Sequence, residues 1–146
     1  MIYKYKPTTI GKYPNSSTLM MRNNDNNTLQ EIAIVGDWRY VYVPDGADIP
    51  DQWPEIEWQS VTLTDQLKEE IKANSRPCHL ISERMQAMIR EKYTAEDEMY
   101  FARIGTGKAL GVYEFQAGEE ASLLDYGNFV ESVRQWGRDE RAKIGL

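Results

Sequence analysis

The strongest constraint on the fold of this chain is a change of hydrophobic period at Thr64. From there to Leu146 the apolar residues recur three and four apart, the repeat of helices with one buried face. Thr64 is a good N-cap, because its hydroxyl can accept from an orphan N–H of the first turn. Asp65 and Glu69 put negative charge near the positive end of the helix dipole. Leu67 and Ile71 share a face. Asn74-Ser75-Arg76-Pro77 ends this helix and opens a second, with Pro77 in a first turn where its missing N–H costs nothing. Cys78, Ile81, Met85, Met88, Ile89 and Tyr93 form the stripe of that second helix. Thr94, with Asp97 three residues on, resembles a capping box and opens a third helix carrying Met99, Phe101 and Ile104. Gly105 is expected to stop it. Between Gly105 and Ala117 the glycines favour a loop, while Val112 to Phe115 suits a short strand. A last helix is expected from near Ser122, after Glu119 and Glu120. Tyr126, Phe129, Val130, Val133 and Trp136 form its stripe, and Arg138, Arg141 and Lys143 complement its C-terminal dipole.

The first 63 residues lack such helix signals and are rich in Tyr, Thr, Ile and Val. Met1 to Tyr5 reads as an edge strand stopped by Pro7, and Thr18 to Arg22 as another short strand. Asn23 to Asn27 reads as a turn, since Asn and Asp tolerate left-handed backbone. Glu31–Val35 and Trp38–Val43 flank Gly36-Asp37, which suits a two-residue hairpin turn. Trp38, Tyr40 and Tyr42 then share one face of their strand. Asp45 to Glu57 reads as an extended connection leading to a strand over Glu57 to Leu63. The expected fold is α+β, with an antiparallel β portion over 1–63 and a three- to four-helix portion over 64–146. The two portions either share one core or pack separately.

Seventeen Lys and Arg against 23 Asp and Glu give a net charge of −6. That balance argues against general phosphate-backbone binding, so no nucleic-acid partner is expected. No apolar run approaches a membrane span, so no membrane partner is expected. The N-terminus lacks the apolar core of a secretion signal. A single cysteine, Cys78, excludes an internal disulfide and fits a reducing cytoplasm.

No segment carries a recognisable catalytic or metal signature, so no enzyme activity and no cofactor are expected. Gly105-Thr106-Gly107-Lys108 invites a phosphate-loop reading, but Ala102 and Ala109 stand where that loop needs Gly and Ser or Thr. Cys78 and His79 are neighbours whose side chains would point about 100° apart on a helix, so they suit a core residue and a surface residue better than a nucleophile–base pair. The acids from Asp45 to Glu57 lack the spacing of a calcium loop and read as a solvated connection. Glu96 and Asp97 read as helix-start acids. The sequons at Asn15 and Asn26 have no meaning without a secretory route. The best interaction candidates are Trp38, Tyr40 and Tyr42, with Trp53 and Trp58 nearby in sequence. Aromatics of this kind serve either as the core of a small β portion or as an exposed anchor or stacking face.

Ile71-Lys72-Ala73-Asn74-Ser75, Leu80-Ile81-Ser82-Glu83-Arg84, Ile89-Arg90-Glu91-Lys92-Tyr93, Asp97-Glu98 and Val133-Arg134-Gln135-Trp136-Gly137-Arg138 resemble small proteins of tailed bacteriophages and prophages. Those proteins are encoded in the tail and tail-fibre part of the structural gene cluster. The resemblance runs over roughly Thr64 to Leu146 and departs at Gly105–Ala117, which is longer and richer in glycine. It carries no catalytic motif. It implies a virion tail component, or a tail-fibre assembly chaperone working in the host bacterial cytoplasm, with other tail or fibre proteins as partners. A homo-oligomer is an option by analogy with tail proteins built about symmetry axes. A different class of function, recognition of host-surface glycan by the aromatic β half, stands beside it.

Overall fold

The computed structural model describes residues 1–12, 16–22 and 29–146. The Asn23–Asn27 turn and the sequons beginning at Asn15 and Asn26 lie outside them. The chain is α+β. Its strands are β1 (Ile2–Tyr5), β2 (Thr8–Thr9), β3 (Ser16–Ser17), β4 (Gln30–Val35), β5 (Trp38–Tyr42) and β6 (Trp58–Ser60). Its helices are α1 (Asp65–Ala73), α2 (Arg76–Lys92), α3 (Ala95–Ala109) and α4 (Glu119–Ala142). None of these helices is long and apolar enough to cross a membrane.

Two compact units emerge, and the division is not at residue 63. The first takes Met1–Leu80 with Arg141–Leu146, and the second takes Ile81–Glu140. The reason is packing. One face of the antiparallel sheet β4-β5-β1-β6 buries Ile2, Ile32, Ala33 and Tyr40 together with Ile71 of α1, Cys78 of α2, and Ile144 and Leu146 at the C-terminus. The other face buries Tyr5 and Val41 with Ile10, Leu19, Leu29, Val43 and Ile56, supplied by the connections. A thin sheet with two apolar faces needs cover on both sides, and the helical half supplies one of them.

Three strand expectations shift. β1 is central, paired with β5 and β6, rather than an edge. Pro7 lies past its end, so the ladder loses no donor. Instead of a strand over Thr18–Arg22, Ser16–Ser17 pairs with Thr8–Thr9. The Gln52 side chain binds both backbone groups of Met20, accepting from its N–H at 2.7 Å and donating to its carbonyl at 3.0 Å, where a neighbouring strand would otherwise pair. The last strand is confined to Trp58–Ser60. The β4–β5 hairpin forms about Gly36-Asp37 as its two-residue turn suggests, with Val35 opposite Trp38. A bulge between Glu31 and Ala33 lets Ile32 and Ala33 both enter the first core.

In the second unit the Thr94 capping box is complete. The Thr94 hydroxyl accepts from Asp97 N–H at 3.1 Å, and the Asp97 carboxylate accepts from Thr94 N–H at 2.8 Å. The core is largely aromatic. Phe101 stacks on Tyr126 at 4.9 Å, and Tyr93 meets both edge-on at 5.9 and 5.1 Å. Val133 and Ile104 are buried with them. Two expectations fail here. α3 runs through Gly105 to Ala109, and no strand forms over Val112–Phe115. Gly107 is a packing position, not a breaker: a Cβ there would sit 2.8 Å from the Tyr113 Cβ as the connection folds back on the helix. α4 begins at Glu119, three residues earlier than expected.

Candidate interaction surface

The aromatic residues singled out in the sequence divide by burial. Tyr40 is 6% exposed, and Trp38 and Tyr42 are partly buried against the same cluster as Ile2 and Ile71. Lys4 and Lys6 further cover the Trp38 ring, with ammonium groups 4.6 and 4.8 Å from its centroid. That strand face is therefore core, and an exposed binding face made of Trp38, Tyr40 and Tyr42 does not form. Trp58 lies on the opposite sheet face, stacked on Tyr3 at 4.6 Å and packed on the second cluster. It too is structural.

Trp53 is different. Its residue is 49% exposed, as is Met20, and Ile49 in the same segment is 40% exposed. Trp53 with Met20, Asp51 and Gln52 lines an open hollow of about 280 Å³. The segment is fastened on both sides of the indole. Before it, Gln52 makes its two bonds to Met20 and donates a third, at 2.9 Å, to the Pro50 carbonyl. After it, Ile56 N–H donates to the Trp53 carbonyl at 3.0 Å, and the Ile56 side chain is buried in the second cluster. Pro54 adds its own restriction, since a residue before proline is held to extended backbone. A large apolar ring is thus held partly in water on a constrained loop, the arrangement that costs least entropy on docking.

Electrostatics around the hollow have one sign. Asp45, Asp48, Asp51, Glu55 and Glu57 are all exposed, and the segment 45–57 contains no Lys or Arg. Among the described residues, none of Asp45, Asp51, Glu55 and Glu57 enters an ion pair.

A second surface of the same unit is the open side of β4. A groove of about 300 Å³ runs there, lined by Glu31, Ile32, Ala33, Ile34, Asn74, Arg76 and Pro77. The bulge at Ile32 interrupts the regular edge, which is how sheet proteins discourage strand addition. On the sheet beside it, Glu31 pairs with Arg39 at 3.0 Å and approaches the Tyr5 hydroxyl at 3.4 Å. Burial, then the nearby Glu31 carboxylate, pushes the Tyr5 phenol above its ordinary pKa.

The remaining sequence candidates resolve into structure. Cys78 is buried, and the exposed His79 ring donates from Nε2 to the Ala73 carbonyl at 2.9 Å. Lys108, from the glycine-rich segment, lies on α3 and binds the Glu114 carboxylate at 2.6 Å. Among the described residues no three His, Cys, Asp or Glu side chains converge as a metal site would require.

One cluster escaped the sequence reading. Glu119, 9% exposed, accepts from the Tyr113 hydroxyl at 2.6 Å, the Tyr100 hydroxyl at 2.7 Å and the Gln116 N–H at 2.9 Å. These bonds hold its carboxyl below the ordinary range, the Tyr113 bond contributing most. The same carboxylate pushes the Tyr113 phenol up to about 12. The cluster ties α3 and the connection to the first turn of α4. No spacing rule links positions 100, 113 and 119, so nothing in the sequence alone brings them together.

Compared with known proteins, the chain matches no family model, no characterised sequence and no solved structure at a significant level.

Proposed function

We propose that this chain is a non-enzymatic, tail-associated phage protein, retained in the virion, that binds another tail or tail-fibre protein through the surface centred on Trp53. The observation that carries the binding reading is the Trp53 loop: a half-exposed indole held between a Gln52 clamp and a buried Ile56. Tryptophan on a rigid support is the commonest kind of energetic anchor at protein interfaces. The tail setting rests on the resemblance of the helical half.

Two readings compete with it. A tail-fibre assembly chaperone would use the same surface and then leave. Glycan recognition is less favoured by the hollow itself. Gln52 already spends both amide hydrogens and its oxygen on Met20 and Pro50. Asp51 is then the remaining side-chain polar group lining the hollow, few for orienting a sugar.

The test is mass spectrometry of purified particles from the phage or prophage that encodes the chain, with wild type and Trp53→Ala. The virion reading expects the wild-type chain at stoichiometric level and the variant depleted on the order of tenfold. A chain absent from particles but required for their infectivity assigns it to the chaperone class. A variant incorporated as well as wild type removes Trp53 from the interface.

A further inference from the structure

We infer that the Trp53 surface takes a basic protein segment: one that seats an apolar side chain in the Met20–Trp53 hollow and lays flanking Lys or Arg residues against the surrounding acids. This rests on the reading of Trp53 as a docking anchor and adds the chemistry of its partner.

The argument is charge complementarity around an apolar centre. The hollow is lined by Met20, Gln52 and Trp53, with Asp51 at its margin. Asp51 belongs to a segment with five exposed acids and no base, and Asp45, Asp51, Glu55 and Glu57 form no ion pair among the described residues. Elsewhere on the same unit, acids do have cationic partners: Glu31 meets Arg39, and Glu69 meets Lys72. A rim of one sign around an apolar anchor steers oppositely charged partners and rejects like-charged ones. It repels an anionic bilayer or a nucleic-acid backbone by the same field. An apolar but neutral partner would leave these acids near a low-dielectric contact without compensation.

The experiment titrates the full chain with three short peptides of equal length: alternating Lys and Leu, alternating Gln and Leu, and alternating Glu and Leu. The readout is the indole N–H resonance of Trp53 in a proton–nitrogen spectrum, assigned with Trp53→Phe. The Lys-Leu peptide is expected to shift that resonance, with affinity that falls as salt rises. Affinity is expected to drop on the order of tenfold in Trp53→Ala and in the Asp51→Lys/Glu55→Lys double variant. Both variants change exposed positions and are checked for unchanged circular dichroism. Tighter or equal binding of the Gln-Leu or Glu-Leu peptide at Trp53 overturns the basic occupant while leaving the docking anchor standing. A Lys-Leu affinity unchanged by Trp53→Ala also overturns the basic occupant at this site, as generic binding of a polycation. A Trp53 resonance that no peptide moves, or that only lipid vesicles or oligosaccharides move, overturns both.

Discussion

Gly145→Ala tests how the C-terminus is locked into the first unit. Gly145 has φ +79°, and a Cβ there would lie 2.9 Å from Tyr42 Cδ2, 3.1 Å from Tyr42 Cε2 and 3.5 Å from Ile2 Cδ1. Left-handed backbone alone costs a non-glycine residue about 1–2 kcal/mol. The contact adds to this, because the ring belongs to a strand paired on both sides and cannot swing away freely. Overpacking of this kind costs about 1–3 kcal/mol. The sum, about 2–5 kcal/mol, corresponds to a fall of roughly 5–15 °C in the unfolding midpoint for a chain of this size. Gly36→Ala supplies the control. Its φ is +59° with nothing within 4 Å of the added Cβ, so it carries the backbone strain without the clash. Thermal melts followed by near-ultraviolet circular dichroism, which reports the packed tyrosines and tryptophans, measure both variants. Gly145→Ala should melt clearly below Gly36→Ala, and amide exchange should quicken in β1 and β5. Equal midpoints for the two variants would refute the claim that Ile144, Gly145 and Leu146 are a packed part of this core.

Other expectations follow from the same geometry. Thr94→Ala removes the hydroxyl half of the capping box and should cost about 1 kcal/mol in urea unfolding, with Thr94→Ser largely restoring it. Trp53→Ala should leave the midpoint within about 0.5 kcal/mol of wild type, because the ring is half exposed and core packing does not depend on it. The Glu119 cluster gives two pH limits. Its carboxyl is held below the ordinary 4.5, so its contribution is present above that value and is lost as pH falls through the lower folded value. The Tyr113 phenol is raised from 10.0 to about 12, so its contribution is complete below pH 10 and is lost as pH rises toward about 12. An ultraviolet tyrosinate titration should show a late step that Tyr113→Phe abolishes; an unchanged late step would count against the cluster.

The sequence on its own determined the local elements. Thr64 and Thr94 mark helix starts by the chemistry of their hydroxyls, Gly36-Asp37 closes a hairpin because a two-residue turn needs such residues, and the three- and four-residue stripes give helices their buried faces. Each of these depends on neighbours a few residues apart. Sequence also named Trp53 among five aromatics without being able to separate it from the other four. Only the tertiary structure decided that separation, because burial depends on what covers a face. Residues 71, 78, 144 and 146 come back over Tyr40, whereas the described residues leave Trp53 half exposed beside Met20. The same reason explains Gly107, which reads as a helix breaker until Tyr113 is seen against it, and Glu119, whose two phenols come from positions 19 and 6 residues away. Periodicity reports which side of an element is apolar; long-range contacts decide which apolar side remains in water.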